Sequence, residues 1–356
     1  KRFSWSPLGV GGFALASSRI QKVSRITRLA HPMAFRSFLE RQGTPAERLF
    51  QHEGLPALCE DSSAFVPLLR AWSFFDVAQR HEGPMLGWLV GRHVGDHCLN
   101  ATLLRKLETA PTLNLALRRL AELVRSEASH LQLGVLERRH DVLFVTKYPD
   151  IEVAPGYHVS QSYQLSVYVD LIRHFLGRDW SPAEMGVEAN TVPLGLRDLF
   201  PGCRFLPRQR MGYISIPRSC LHVSAKHRNG LGGGGDALVM TDRFGFVDTL
   251  VALIKAYAAE GYLSARVAAS LMDTSERTLA RQLSSRGRTY GTLVDEVRFN
   301  MSAKMLRETD ECIADIGRSV GFDDPAHFAR MFRRVAGLSP REYRNAVQKS
   351  VESGAI

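Results

Sequence analysis

The last third of the chain contains the same short pattern twice, and this repeat restricts the fold more than any other feature. In the second copy, Gly321 can end a helix in the left-handed conformation. Asp324 and Pro325 then supply an N-cap and a first-turn proline for the next helix. Phe328 and Phe332 stand four residues apart and share one face of that helix. The pattern predicts a helix, a tight turn and a second helix that packs on a core.

The opposite face of that second helix is polar and carries positive charge. Its outward positions hold Ala326, His327, Arg330 and Arg333, and Arg334 follows at once. A helix face of this kind can enter the major groove of DNA. The sequence therefore predicts a DNA-reading helix here.

The first copy of the pattern lies 49 residues earlier. Ser264 can cap a short helix through Leu271, and Ser275 can cap a helix over residues 276–283. The turn between them lacks a glycine, so we expect its geometry to be less secure. The matched positions are Ser275 and Asp324, Leu279 and Phe328, Ala280 and Ala329, Arg281 and Arg330, and Leu283 and Phe332.

An apolar stripe between the two copies predicts one connecting helix that holds both rigidly. Its members are Leu293, Val294, Val297, Met301, Met305 and Leu306.

These residues resemble the C-terminal signature of the AraC/XylS family of bacterial regulators, over roughly the last third of the chain. The matching positions are Ile313, Ile316, Gly321-Phe322, Phe328, Arg330, Phe332, Gly337, Ser339-Pro340 and Tyr343-Arg344. The resemblance implies that one monomer reads two successive major-groove segments of duplex promoter DNA. It also implies which residues approach bases or phosphates: Arg277, Thr278 and Arg281 from the first recognition helix, and Ala326, His327 and Arg330 from the second.

Arginine is the natural base reader because its guanidinium can bond both acceptors of guanine, which contributes about 1–3 kcal/mol of discrimination. We therefore favour Arg277 and Arg281 as base readers. Arg333 and Arg334, with Arg341 and Arg344, lie late in the second helix or beyond it. For these four we expect phosphate contacts or structural pairing.

The net charge adds little to this argument. The chain carries a formal charge of +10, but from Thr241 onward 17 Lys and Arg stand against 15 Asp and Glu, which leaves only +2 in that region. The arrangement of the arginines therefore supports DNA binding better than the total charge does. A membrane partner is disfavoured because the sequence has no long apolar run.

A glycine-rich run over residues 229–236 indicates a flexible linker. We expect a regulatory domain over 1–228, a linker over 229–240 and an all-α DNA-binding domain over 241–356. Upstream, Phe65, Leu68, Leu69, Trp72 and Phe75 show helical spacing, as do Leu113, Leu117, Leu120 and Val124. A hairpin over 131–145, a helix over 159–175 and strands near 185–188, 203–206 and 212–216 predict a mixed α+β fold.

The upstream region also resembles one AraC subgroup, which includes regulators of ornithine and arginine catabolism and of quorum sensing. The resemblance rests on the runs 199–205 and 213–217 and on Leu221. It implies a regulatory domain that could bind a small-molecule effector and form a homodimer. RNA polymerase is the further partner that such a regulator implies.

Several upstream side chains have two readings. Trp72, Phe74, Phe75 and Trp88 could line a ligand pocket, although apolar residues at helical spacing usually form core. Tyr157, Tyr163 and Tyr168 could bind a polar ligand or simply pack. His93 and His97 flank Asp96, but we expect no metal site, because Gly91 and Gly95 argue against a regular helix and no third ligand has matching spacing.

The sequence shows no pairing of nucleophile and base and no cofactor fingerprint, so we predict neither an enzyme nor a cofactor. Cys203 or Cys220 could sense oxidation, although buried structural cysteine is the commoner case. The five cysteines lack close pairing, which suits a reducing compartment. Residues 1–16 loosely resemble a signal peptide, yet we expect a cytoplasmic protein. The alternatives are a nonspecific architectural DNA binder, and an enzyme or sensor domain with a basic tail.

Overall fold

A computed structural model describes residues 25–59, 61–94, 103, 106–107, 109–149, 151–224 and 245–352. These residues form two compact units. Unit 1 contains residues 25–53 and 68–224, and unit 2 contains residues 54–67 and 245–352. The predicted linker 229–240 and the signal-like start of the chain lie outside the described residues. The expected domain boundaries therefore stay a prediction.

Unit 1 is a mixed α+β unit, as the sequence predicts. Its first strand is β1 (Ile26–Arg28). Its helices are α1 (Ala30–Arg41), α2 (Ala46–His52), α3 (Leu68–Glu82), α4 (Leu86–Val94), α5 (Leu113–Leu123), α6 (Tyr157–Leu176) and α7 (Leu196–Leu199). The remaining strands are β3 (Gln132–Glu137), β4 (Asp141–Lys147), β5 (Glu184–Gly186), β6 (Arg204–Leu206) and β7 (Gly212–Pro217). Short 3-10 helices span Val124–Ser126 and Arg218–His222.

The five later strands form one sheet in the order β3-β4-β7-β5-β6. The hairpin β3–β4 is antiparallel, with Val135 opposite Phe144, and β4 pairs antiparallel with β7, which places Phe144 opposite Ile214. Strand β5 pairs antiparallel with β7 and parallel with β6. The hairpin, the long helix and the three short strands are thus where the sequence predicts them.

Helix α6 is the centre of unit 1, and most of its side chains are buried. It packs closely on α4 because Gly87 and Gly91 leave room for its backbone. A Cβ atom at Gly87 would lie 2.5 Å from the Val159 carbonyl oxygen, and one at Gly91 would lie 2.6 Å from the Tyr163 carbonyl oxygen. The expectation that Gly91 would prevent a regular helix is wrong, because close helix packing uses that glycine. Gly95, Asp96 and His97 lie outside the described residues.

The upstream helical stripe begins later than its spacing predicts. Phe65 belongs to a strand, and α3 starts at Leu68, directly after Pro67. Leu69 points toward solvent with 42% of its surface exposed, so it does not share the buried face. Trp72, Phe74, Phe75 and Trp88 are buried, at no more than 3% exposed.

Unit 2 contains strand β2 (Phe65–Pro67) and otherwise helices. The helices are α8 (Phe246–Tyr257), α9 (Ala265–Leu271), α10 (Glu276–Ser284), α11 (Tyr290–Glu308), α12 (Ile313–Ser319), α13 (Pro325–Ala336) and α14 (Pro340–Glu352), with a 3-10 helix over Ala258–Glu260. Between residues 245 and 352 the described chain is helical wherever it is regular, as predicted. The cluster that holds α11 to α13 contains Ala303, Leu306, Ile316, Val320, Phe322, Phe328, Met331 and Phe332.

Residues 54–67 pack within unit 2, although they stand between two stretches of unit 1 in the sequence. Strand β2 packs against α8. The Tyr257 hydroxyl donates to the Gly54 carbonyl oxygen at 2.6 Å, and the Leu58 amide donates to Glu260 Oε1 at 2.7 Å. Segment 54–67 is therefore a structural part of the unit that carries the two repeated patterns.

Candidate nucleic-acid interface

Each repeated pattern folds as a helix, a tight turn and a second helix. In the first helix-turn-helix, Asp273 lies in the turn between α9 and α10 and adopts the left-handed conformation, at φ +49°. The Thr274 amide donates to the Ala269 carbonyl oxygen at 2.9 Å. In the second helix-turn-helix, Gly321 takes that role at φ +86°, and the Phe322 amide donates to the Gly317 carbonyl oxygen. Asp273 thus supplies the conformation for which the sequence offered no glycine.

The second helices of the two patterns, α10 and α13, which the sequence predicts to be recognition helices, are both capped by side chains. Ser275 Oγ accepts from the Thr278 amide at 3.2 Å, and Asp324 Oδ1 accepts from the Ala326 amide at 2.8 Å. Pro325 occupies the first turn of α13. These caps fix where each helix begins, as the sequence predicts, and each typically contributes about 1 kcal/mol.

The two units differ by one residue in the turn. The first helices begin 48 residues apart, at Ala265 and Ile313, whereas the second helices begin 49 residues apart, at Glu276 and Pro325. The spacing of 49 predicted from the sequence therefore holds for the recognition helices, and the second turn is one residue longer.

Helix α10 presents a basic, solvent-facing surface. Leu279 and Leu283 are buried at 1% and 0% exposed, while Arg277 and Arg281 are exposed. Within the described part of the chain neither arginine forms an ion pair. Thr278 is half-buried, and its hydroxyl lies 3.0 Å from Ser275 Oγ. Both guanidinium groups are therefore available for an external acceptor.

Helix α13 buries Phe328 and Phe332 and exposes Ala326, His327 and Arg330. The His327 ring lies 5.7 Å from the Phe322 ring in an edge contact. Arg330 Nη2 stands 3.9 Å from Asp324 Oδ2, with 70% of its side chain exposed. A surface ion pair of this length contributes little, so Arg330 can leave it for another partner.

Arg333 and Arg334 are also exposed, but each faces a carboxylate. Arg333 Nη2 lies 3.5 Å from Glu342 Oε2, and Arg334 pairs with Asp295. Glu342 also closes the N-terminus of α14: Ser339 N–H donates to Glu342 Oε2 at 2.7 Å. Hydrogen bonds from Ser339, together with the charge of Arg333, lower the pKa of Glu342. These arginines therefore brace α13 against its neighbours.

Two further exposed arginines lie close to α10, and the sequence analysis does not single them out as candidate DNA contacts. Arg286 and Arg288 flank Gly287, which has φ +68°. Arg286 Nη1 donates to the Gln282 carbonyl oxygen at 2.7 Å, and Arg288 pairs with Glu296 at 2.9 Å. The run of two basic residues around a glycine directly after α10 was the available signal.

Unit 1 contains a narrow cavity of about 30 Å³ beneath α6. Its polar lining includes Glu127, His31 and Tyr163: His31 Nε2 lies 3.5 Å from Glu127 Oε2, and its Nδ1 lies 3.1 Å from the Tyr163 hydroxyl. Tyr168 and Phe75 line the same space. The lining is mostly apolar with a few convergent polar groups, as in small-molecule sites, but the volume is far below that of such sites, roughly 300–1,000 Å³.

Three further observations concern metal binding, membrane spanning and thiol chemistry. The described residues hold no cluster of three or more His, Cys, Asp or Glu side chains that could bind a metal ion. Among the described helices, none has the length and apolarity to cross a membrane. Burial raises the pKa of the Cys203 thiol to about 12, which opposes a thiolate-based redox role for that residue.

Comparison with known proteins supports the geometry of unit 2. Residues 268–346 match a family model described as a helix-turn-helix domain. The chain is 39% identical over 79 residues to the ornithine utilization regulator of Pseudomonas aeruginosa, which covers 22% of this chain and 23% of that protein. It is 35% identical over 107 residues to the transcriptional activator RhaS of Enterobacter sp., covering 30% and 38%. The arabinose operon regulatory protein of Escherichia coli is 36% identical over 62 residues, covering 17% and 21%.

These alignments span well under two thirds of each relative's length. Among solved structures, the transcriptional regulator CdpR of Pseudomonas aeruginosa has a TM-score of 0.39 at 17% identity, over 89% of this chain and 98% of that one.

Proposed function

We propose that the chain is a sequence-specific transcription regulator of the AraC type that reads promoter DNA with both helix-turn-helix units. Support comes from the match of residues 268–346 to a helix-turn-helix family model and from the similarity to the arabinose operon regulatory protein over 62 residues. The observation that carries the proposal is a pair of capped recognition helices whose outward arginines are free or weakly paired. A monomer of this kind places its two helices in successive major-groove segments about 34 Å apart. The division along the sequence into residues 1–228, 229–240 and 241–356 is part of the proposal, with segment 54–67 packed within unit 2.

Arg277 and Arg281 are the proposed base readers of the first half-site. Both are exposed without an internal ion pair among the described residues, so DNA binding costs them no existing contact. Thr278, Ala326, His327 and Arg330 complete the proposed reading surfaces. For Arg333 and Arg334 the proposal is structural pairing with Glu342 and Asp295, or phosphate contact when these exposed ion pairs open.

The test is selection by the full chain from a library of random duplexes at fixed, near-physiological salt. The full chain is required because segment 54–67 packs within unit 2. We expect one asymmetric site spanning two major-groove segments. Arg281→Ala should relax the first half-site and Arg330→Ala the second, each by about 5- to 150-fold in discrimination at one base pair. Arg218→Ala, which removes an exposed arginine paired with Glu137 in unit 1, is the matched control.

The alternatives make different predictions in the same experiment. A nonspecific architectural binder would bind every duplex with similar affinity and strong salt dependence. Both arginine variants would then lose the same affinity on all sequences. Turnover by the purified chain would favour an enzyme with a basic tail.

We propose that unit 1 regulates DNA binding by unit 2 when a small molecule binds in the cavity beneath α6. The present volume of about 30 Å³ holds a few atoms, so a metabolite requires the lining to open. Glu127, His31 and Tyr163 supply the hydrogen-bonding groups, and Phe75 and Tyr168 supply apolar surface. The probe set is amino acids, short polyamines and aromatic acids, tested by thermal unfolding of the full chain followed through tryptophan fluorescence. A compound that stabilises the wild type but not Tyr163→Phe supports the site; no shift with any probe argues for a regulator without such an effector.

Activation through RNA polymerase, a homodimer and a cytoplasmic location complete the proposal. RhaS is named a transcriptional activator, which favours activation here as well. Light scattering of the purified chain tests the dimer, and transcription in vitro from the selected site tests activation.

A further inference from the structure

The second helix-turn-helix unit packs on the segment that leads into the first. Gly321, in the turn between α12 and α13, lies against this segment so closely that a Cβ atom would overlap the Ala258 carbonyl oxygen and lie 3.0 Å from the Gly261 carbonyl oxygen. Gly261 itself has φ +106° and stands three residues before the cap of α9. The second helix-turn-helix therefore packs directly on the segment that leads into the first, in addition to the connection through α11.

Arg298 fills this junction from the middle of α11. Its side chain is buried, and Nη2 donates to the Gly261 carbonyl oxygen at 2.9 Å. The guanidinium carbon lies 4.7 Å from the centre of the Phe322 ring and 5.5 Å from the centre of the Tyr262 ring. Phe322 belongs to the turn of the second unit, whereas Tyr262 precedes the first unit. One side chain of the connecting helix therefore contacts both the turn of the second helix-turn-helix and the segment that leads into the first.

The Arg298 side chain is better suited to fixing the orientation of its neighbours than to stabilising the fold. Burial lowers its pKa, while nearby Tyr262, Asp295 and Tyr290 act in the opposite direction. No ion pair involves it in the described part of the chain. A buried cation without a carboxylate partner carries a desolvation cost. A planar guanidinium offers donors in its plane and two faces for rings, and this combination fixes an orientation that a lysine cannot fix.

We propose that Arg298 sets the angle and separation between the two recognition helices, and thereby the spacing between DNA half-sites that the protein accepts. This inference rests on the proposed function. Adding one base pair moves a half-site by about 3.4 Å and rotates it by about 34°. A rigid junction rejects such a change, and a loosened junction tolerates it. Arg298 is thus a positioning residue that contacts no base.

The experiment measures binding of the full chain to the selected site, to sites with one base pair added or removed between the half-sites, and to sites with one intact half-site. We expect the wild type to lose about 10-fold or more in affinity on either altered spacing. Arg298→Lys and Arg298→Met should reduce this spacing discrimination to about 3-fold or less, with single half-site affinity unchanged. Arg307→Met, on the same helix but exposed, should keep the wild-type discrimination.

A second variant guards against loss of folding. Tyr262 is 63% exposed, so Tyr262→Ala removes one face of the junction without opening the core, and it should loosen spacing in the same direction. Spacing discrimination that stays at the wild-type level in Arg298→Lys and in Tyr262→Ala overturns the inference, even if affinity falls evenly on all duplexes. A wild type that selects no bipartite site overturns the proposed function, and the inference with it.

Discussion

Replacing Gly321 by alanine should destabilise unit 2 far more than the same change at Gly337. Both glycines follow a helix with positive φ, +86° at Gly321 and +75° at Gly337. The left-handed conformation costs an alanine about 1 kcal/mol at either site. At Gly337 nothing lies within 4 Å of the new methyl group. At Gly321 the methyl group meets the backbone carbonyl of Ala258, which cannot move without shifting the 3-10 helix.

Overpacking of this kind adds about 2 kcal/mol, so we expect a total of about 3 kcal/mol for Gly321→Ala against about 1 kcal/mol for Gly337→Ala. With a urea dependence of about 1.5 kcal/mol per molar, the midpoints should fall by about 2 M and about 0.7 M. Gly337→Ala therefore serves as the control for backbone conformation alone.

The assay uses two optical probes on the full chain. All four tryptophans, Trp5, Trp72, Trp88 and Trp180, precede residue 225, so tryptophan fluorescence follows the upstream part of the chain. Far-ultraviolet circular dichroism also follows the helices of unit 2. Gly321→Ala should shift the dichroism transition and leave the fluorescence transition in place. Equal destabilisation by the two alanines would refute the close-approach argument and leave only the conformational cost.

Three further predictions concern other parts of the molecule. Ser275→Ala should destabilise unit 2 by about 1 kcal/mol and weaken DNA binding, with Ser275→Asp as the rescuing control in urea titration and in a binding assay. Gly91→Ala should lower the fluorescence-detected midpoint, because its methyl group would lie 2.6 Å from the Tyr163 carbonyl oxygen, and an unchanged midpoint would contradict the packing of α4 on α6. Burial opposes the ionisation of Glu184, but hydrogen bonds from three partners outweigh it and lower its pKa. Its stabilising effect should therefore be full above its unfolded pKa, near 4.3, and be lost as the pH falls through the folded value, whereas Glu184→Gln should flatten this dependence in acid unfolding curves.

The sequence predicts those parts of unit 2 that depend on local chemistry. Caps, turns and alternating burial are set by neighbours a few residues apart, and so Ser275, Asp324 and the buried phenylalanines of α13 lie as predicted. The turn at Asp273 has no glycine to signal it, but aspartate also adopts the left-handed conformation that this turn requires. The extra residue in the second turn is not evident from the repeat, because the matched positions all lie in the second helices and their caps.

Features that depend on distant parts of the chain could not be read locally. Gly91 looked like a helix breaker because its partner, α6, lies about seventy residues away in the sequence. Arg298 interrupts the apolar stripe of α11, and this interruption was the available signal for the junction. Base contact by Arg277 or Arg281 stays a prediction, since the spacing and exposure of the arginines do not determine which base each one meets.

Segment 54–67 also bears on how such a protein can evolve. The reading unit is assembled from two separate stretches of the gene, and one of them is embedded within the stretch that encodes unit 1. A recombination event at the glycine-rich run would transfer α8 to another gene without strand β2, which packs on it. The Gly54 carbonyl oxygen that accepts from Tyr257 would also be left behind. Exchange of the C-terminal helices between proteins of this architecture should therefore be accompanied by paired substitutions in segment 54–67 and in the residues of α8 that contact it. We therefore expect the two units to be inherited together.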